Sequence, residues 1–167
     1  MRICILLGLM IAMLTLSFIV GNTLVVAGPL EDARAAYNHG DYATVLRLTR
    51  PLAEQGNAEA QEALGGMYLA GNGVAQDSKE AVKWYRLAAA QGYRTASYNL
   101  GLMYEQGKGV ARNSVLAYMW VDIAVAQGFV FAASPRDSIS KTLTKEQIAK
   151  AKAAAKYCQA ENYKHCD

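Results

Sequence analysis

The feature of this chain that most constrains its fold is an internal repeat with a period of 36 residues. When the sequence is shifted by that interval, segment 58–93 matches segment 94–129 at many positions. The recurring residues of the first segment are Ala60, Leu64, Gly65, Met67, Tyr68, Gly71, Gly73, Val74, Ala75, Ser78, Ala81, Trp84, Ala88, Ala90, Gln91 and Gly92. A single unit of this size cannot bury its apolar face, so such units are stable only when they stack. The chain is therefore predicted to be a stack of similar units.

Each unit predicts a pair of helices. In the first half of a unit the apolar residues recur at spacings of three and four, which is the helical period. Gly65 and Gly101 fall inside these first helices, where the absence of a side chain allows close approach of a neighbouring helix. The Gly-x-Gly-Val segment that follows ends the helix, because glycine adopts positive φ, and turns its valine inward. Asp77 and Asn113 then cap the second helix.

Large aromatic residues also recur at the repeat interval. They are Tyr68 and Trp84 in the first unit and Tyr104 and Trp120 in the second. A recurring aromatic side chain is more often part of a core than of a binding site. These four residues are expected to hold the units together.

The pattern A-x-x-x-L-G-x-M-Y-x-x-G-x-G-V, followed by A-x-x-W and A-x-A-Q-G, resembles the Sel-1-like repeat family, a relative of the tetratricopeptide repeat. The resemblance implies an all-α fold in which tetratricopeptide/Sel-1-like helix pairs stack in a short right-handed superhelix, an α-solenoid. Segment 28–57 is similar to a degenerate helix pair that lacks the Gly-x-Gly-Val insertion. Segment 130–167 is expected to provide C-terminal capping helices, with a final helix pair over 132–140 and 145–161.

The N-terminal segment predicts export. No charged residue occurs from Ile3 to Leu30, and small residues at Val25 and Ala27 fit the positions that a signal peptidase reads. We expect a signal peptide over 1–27 that is cleaved after Ala27, which would place the protein in the periplasm or outside the cell. An uncleaved membrane anchor is the alternative, because an apolar run of this length could cross a bilayer.

Two cysteines remain in the chain after residue 27. Cys158 and Cys166 are predicted to form a disulfide, because an even pair in an oxidising compartment usually does so and because the tail after a helix ending near Glu161 can fold back. Two free thiols are the alternative. His165 and Asp167 flank Cys166, but no second pair of ligands supports a metal site, and the sequence predicts neither a metal nor another cofactor.

The sequence offers no convincing catalytic motif. Ser138–Lys141 fits the Ser-x-x-Lys pattern of β-lactamases, but the companion Ser-Asp-Asn and Lys-Thr-Gly elements are missing. Gly71-Asn72-Gly73 is not a dinucleotide motif, since Gln76 stands where a third glycine is required and no strand precedes it. His39 and His165 have no candidate relay nearby and are expected to be exposed. The chain is predicted not to be an enzyme.

Positions at which the two repeats differ suggest a binding surface. Position 62 is Glu where position 98 is Tyr, position 63 is Ala where 99 is Asn, and position 66 is Gly where 102 is Leu. Equivalent first-helix positions line the concave side of such a superhelix, so residues without packing duties there can vary with a ligand. The predicted groove residues are Glu62, Tyr98, Asn99 and Leu102. Variation on an unconstrained surface is the alternative.

The resemblance implies an exported scaffold or adaptor that binds a peptide or protein partner in its concave groove. Lys and Arg total 17 against 14 Asp and Glu, a net charge of +3, which is too small an excess to predict nucleic-acid binding. β-Lactam binding or hydrolysis is an alternative function, because cysteine-rich repeat relatives have been linked to it. Those relatives carry a cysteine pair in each unit, whereas residues 58–129 contain no cysteine. An accessory cap in a larger envelope assembly is a third possibility.

Overall fold

The computed structural model describes residues 28–163 and Cys166. The predicted signal peptide and the two possible metal neighbours, His165 and Asp167, lie outside the described residues. Within that part of the chain every element is helical. The α-helices are α1 Pro29–Asn38, α2 Tyr42–Glu54, α3 Ala58–Ala70, α4 Ser78–Ala89, α5 Arg94–Gln106, α6 Ser114–Ala126, α7 Ala133–Ser140 and α8 Lys145–Ala160, with one 3-10 turn at Val130–Ala132.

The helices pack in chain order, as a stack of hairpins requires. Helix α1 packs on α2, α3 on α4 and α5 on α6, and the second helix of each pair also packs on the first helix of the next. This architecture confirms the predicted all-α helical repeat. None of the described helices is both long enough and apolar enough to span a bilayer.

A glycine ends the first helix of each repeat, and a capping residue begins the second. Gly71 and Gly107 end α3 and α5 with φ of 78° and 68°, and their N–H groups donate to the carbonyls of Met67 and Met103. The side chains of the next caps accept backbone N–H groups in the first turns of α4 and α6. Val74 and Val110 are half-buried and pack against the core. The predicted turn chemistry is confirmed in both units.

Glycines inside the first helices allow the two helices of a pair to touch. A Cβ atom on Gly65 would lie 2.8 Å from Cδ1 of Tyr85, and one on Gly101 would lie 2.5 Å from Cγ2 of Val121. Both distances are below normal van der Waals contact, so neither position has room for a side chain. The predicted packing role of these glycines is confirmed.

The buried side chains form two clusters. A small N-terminal cluster contains Val45, Ala53, Ala60, Leu64 and Met67. A larger main cluster includes buried residues of α4 to α8 and extends to Cys158. The first units therefore share a smaller core than the later ones.

The recurring aromatic residues all belong to or pack against the buried clusters, as predicted, but they are not equally buried. Tyr104 and Trp120 are buried, whereas Tyr68 and Trp84 are half-buried. The fully buried aromatic residue of α4 is Tyr85, because it is the side chain that meets Gly65.

A hydrogen bond between an arginine and a tyrosine also joins each unit to the next, and the sequence did not reveal it. Arg50 donates to the Tyr68 hydroxyl at 3.2 Å, and Arg86 donates to Tyr104 in the same way.

Both predicted C-terminal helices are present, but they do not pack mainly against each other as the helices of a repeat do. Helices α7 and α8 both pack against α6 instead. Helix α7 buries only Ile139 and contains too little apolar surface to make a partner for α8. The predicted capping box at Thr144 is present.

The predicted disulfide is confirmed. Cys158 and Cys166 are bonded, with their Cα atoms 4.9 Å apart. Asn162 and Tyr163 adopt φ of 50° and 62°, and these left-handed residues reverse the chain after α8. The disulfide thus anchors the tail to the last helix.

Candidate functional site

Two of the four predicted groove residues meet across the repeat boundary. Asn99 on α5 donates from Nδ2 to Oε1 of Glu62 on α3, at 3.0 Å, and both side chains are half-buried. Tyr98 lies elsewhere, with its ring 5.1 Å from that of Phe129. Leu102 is a half-buried residue of α5. A role in partner binding stays a prediction for each of the four residues.

The largest change to the sequence-based picture is a cleft between α1 and α3, which we call the α1–α3 cleft. It has a volume of about 200 Å³ and contains Glu62. Its lining residues are Leu30, Ala33, Arg34, Tyr37, Val45, Thr49, Glu59, Glu62, Ala63 and Tyr93. A second hollow of about 270 Å³ shares four of these residues and continues past Gly66 to Asn72.

The cleft is open because α3 carries two small residues on this side. Ala63 lines the cleft and Gly66 lines the hollow that continues it. Their counterparts in the next unit are Asn99 and Leu102. Asn99 reaches from its helix to the preceding one and bonds Glu62. The side chain of Ala63 is too short to extend to α1 in the same way, so the corresponding space between α1 and α3 remains unfilled. The sequence comparison identified these positions, but it assigned the function to the larger residue of each pair.

The interior of the α1–α3 cleft is negatively charged. At its rim, Arg34 forms an ion pair with Glu59 at 2.7 Å. Glu62 has no cationic partner among the described residues, and its one hydrogen bond is to a neutral amide. Burial raises the pKa of the Glu62 carboxyl, and the charge of Glu59 raises it further against the opposing effect of Asn99. Burial and the same two carboxylates also raise the pKa of Tyr93.

Aromatic residues form part of the wall. Tyr37 at the end of α1 is 50% exposed, and its ring packs edge-on against Tyr42 with 5.5 Å between the ring centroids. Tyr93, just before α5, also lines the cleft. The floor is formed by Val45 and Thr49, and the Thr49 hydroxyl is satisfied by the Val45 carbonyl at 2.8 Å. The cleft can therefore contact a partner through apolar surface and carboxylate oxygens.

The sequence did not identify Arg34, Tyr37 or Tyr93 as site residues. The first two belong to the degenerate unit, which lies outside the 36-residue register, so no repeat comparison reaches them. Tyr93 is the counterpart of Phe129, one interval later. In the second unit this position packs against Tyr98, and in the first it faces the cleft that contains Glu62, the counterpart of Tyr98. The pairing of Tyr93 with Phe129 and of Glu62 with Tyr98 is the feature of the sequence from which Tyr93 could have been predicted as a neighbour of Glu62.

The motifs considered for catalysis have ordinary structural positions. Ser138 is exposed on α7, and the Ser140 hydroxyl donates to the Asp137 carbonyl at 2.7 Å. Gly71 and its neighbours form the end of α3. His39 is an exposed residue at the end of α1. Nothing in these arrangements supports the β-lactam alternative.

Comparisons with known proteins agree with the helical stack. The profile of the Sel1 repeat matches residues 58–93 and 95–129. The crystal structure of a protective antigen present in uropathogenic Escherichia coli strains, which displays an SLR fold, is 30% identical, covers 82% of this chain and gives a TM-score of 0.73. That of a Sel1 repeat protein from Oxalobacter formigenes is 35% identical, covers 63% of this chain and gives a TM-score of 0.58.

The relatives are longer than this chain. The chain spans 32% of the Escherichia coli antigen and 43% of the Oxalobacter formigenes protein. No protein of curated function matches the sequence. The likeness to these structures thus establishes the architecture of this chain.

Proposed function

Because this chain is a Sel1-like repeat protein, we propose that it is a non-catalytic scaffold that binds an extended segment of a peptide or protein partner in the α1–α3 cleft. Sel1 repeats are generally protein-interaction modules. The observation that carries the proposal is the space that Ala63 and Gly66 leave between α1 and α3. An extended segment laid there reaches Glu62, whose carboxylate accepts a hydrogen bond from Asn99. Tyr98 is the neighbour of Asn99 on α5.

Export is part of this proposal. The uncharged run from Ile3 to Leu30 and the small residues before Gly28 support delivery to the periplasm or the outside of the cell. The bonded pair Cys158 and Cys166 is consistent with an oxidising compartment. The partner would then be a protein that is exposed to the same compartment.

The experiment fills the cleft with residues that the repeat itself uses. The double variant Ala63→Asn/Gly66→Leu gives α3 the side chains that α5 carries at the same positions. A Cβ on Gly66 meets only the Tyr85 hydroxyl, at 3.6 Å, which is an ordinary contact. Replacing glycine inside a helix also favours folding by about 0.5–1 kcal/mol. The variant should fold, but its cleft should be closed.

The probe is a random linear peptide library displayed on phage, selected against residues 28–167. We expect the parent chain to enrich related sequences, and the filled variant to lose binding of the corresponding synthetic peptides. The matched control is Leu87→Ala, because Leu87 is 49% exposed on α4 and does not line the cleft. Binding that is unchanged in the filled variant, or equally weakened in the control, would contradict the proposed site.

A further inference from the structure

We propose that the α1–α3 cleft is a receptor for one basic side chain, a lysine or arginine, of an extended partner segment. This inference rests on the proposed function and names the chemistry that the partner must present. It depends on three features of the cleft: its size, its excess charge and its aromatic walls.

The cleft has room for one side chain within a longer channel. The α1–α3 cleft has a volume of about 200 Å³. It continues into a neighbouring hollow of about 270 Å³, and the two share Tyr37, Val45, Glu62 and Ala63. A chain can therefore pass over both hollows while one of its residues enters beside Glu62.

The charge of the cleft selects the sign of that side chain. Among its lining residues, Arg34 is the cation and Glu59 and Glu62 are the carboxylates, which leaves an excess of one negative charge. Arg34 and Glu59 already neutralise each other at the rim. Glu62 lies deeper and receives only the Asn99 amide. A partner cation would give this half-buried carboxylate the charge-assisted hydrogen bond that it lacks.

The aromatic walls suit a long basic side chain. Lysine and arginine bury their methylene stems along apolar surface while the charged end reaches a polar group. Tyr37, Tyr93 and Leu30 all line the cleft and offer such surface. Aromatic faces also attract cations. An acidic side chain placed here would face Glu62 directly, and a short polar one would not reach it.

The experiment uses the peptides selected from the phage library. We expect lysine or arginine at one fixed position of the enriched sequences. Two synthetic peptides are then compared, one with the basic residue and one with norleucine in its place, on three proteins: the parent, Glu62→Gln and Glu54→Gln. The last is the matched control, because Glu54 is an exposed carboxylate of α2 outside the cleft.

In the parent and in the Glu54→Gln protein, norleucine should weaken binding about tenfold or more, as expected for loss of a charge-assisted hydrogen bond. In the Glu62→Gln protein the two peptides should bind almost equally. Thermal melting of all three proteins checks that each is folded.

Several outcomes would overturn the inference. Enriched sequences without a basic position would contradict the inference and leave the proposed function intact. The same holds if norleucine weakens binding to the Glu62→Gln protein as much as it weakens binding to the parent. A library that enriches nothing would contradict the proposed function and this inference together. Sedimentation that shows dimers of the parent but monomers of the Ala63→Asn/Gly66→Leu variant would identify a second copy of the chain as the occupant and reject a partner segment.

Discussion

Adjacent glycines on α3 have opposite roles at the scale of single residues. Gly65 recurs in the next repeat and is required because the Tyr85 ring occupies the place of a side chain. Gly66 does not recur and has space beside it, where it lines the hollow that continues the cleft. Repetition in the sequence revealed the first role. The second could be predicted only by knowing what lies opposite, which the sequence does not state.

This difference predicts opposite effects of the same substitution. Gly65→Ala should destabilise the chain by about 1–3 kcal/mol, because the buried Tyr85 ring cannot move away. Gly66→Ala should stabilise it by about 0.5–1 kcal/mol, because alanine lowers the entropy that a helix loses on folding. Urea unfolding of both variants measures the difference. Equal effects would show that the helix pair is packed less closely than described.

Glu62 predicts a pH-dependent cost in stability. Burial, followed by the charge of Glu59, raises its pKa in the folded chain. The folded state therefore binds the proton more tightly than the unfolded state, and stability from this group is lost as pH rises through the interval between the two pKa values. The charged and titratable groups around it are Arg34, Glu59, Tyr85 and Tyr93.

Glu62→Gln keeps an acceptor for Asn99 and removes the charge. At about pH 7 we expect this variant to be more stable than the parent, and at about pH 3.5, where the carboxyl is protonated in both states, the difference should disappear. Urea unfolding at the two pH values tests this, with the exposed Glu54→Gln as a control. A parent that is the more stable protein at neutral pH would contradict the assignment of Glu62 as a buried charge without a cation.

At the scale of elements, the Gly-x-Gly-Val loops also connect one unit to the preceding one. A Cβ on Gly109 would lie 2.2 Å from the Ser78 carbonyl oxygen, and one on Gly73 would lie 2.8 Å from that of Tyr42. The loop after each first helix thus rests on the start of the preceding second helix. The sequence predicted that these loops end a helix, but their contact with a neighbouring unit depends on the angle of stacking, which no local pattern encodes.

Gly109 and Gly40 form a matched pair for testing this contact. Both have positive φ, of 71° and 72°, but only Gly109 has backbone atoms where a side chain would be. Gly40→Ala should cost about 1–2 kcal/mol from the left-handed conformation alone. Gly109→Ala should cost more, because Ser78 must also move. Thermal or urea unfolding measures both. Similar losses would show that the loop does not bear on α4.

At the scale of the whole molecule, the arrangement of the regular repeats could be predicted from the sequence. The arrangement of the irregular segments on either side could not. Identity at one interval predicted the stack, the turns and the helix ends of 58–129. At the C-terminus, spacing predicted the two helices correctly but did not reveal that both pack against α6. The cleft was missed for a related reason: one wall belongs to the degenerate unit, whose register is not that of the repeats.

Export is a prediction about the mature form of the whole molecule. Protein recovered from its native compartment should have an intact mass that corresponds to a chain beginning near Gly28, because we expect the signal peptide to be cleaved after Ala27. Mass spectrometry of the intact protein checks this. Full-length protein in the membrane fraction would favour the uncleaved anchor.

Because buried side chains are distributed unevenly among the helices, amide exchange in α1 can report whether the cleft is occupied. Ala33 is the buried residue of α1, whereas α6 is buried along most of its length. Local opening follows such differences, so amide protons of α1 should exchange with solvent far sooner than those of α6. A segment held between α1 and α3 binds only the closed arrangement, and mass action then slows exchange in α1 according to occupancy. Deuterium uptake in that one helix would therefore record how much of the cleft is filled, even before the partner is known.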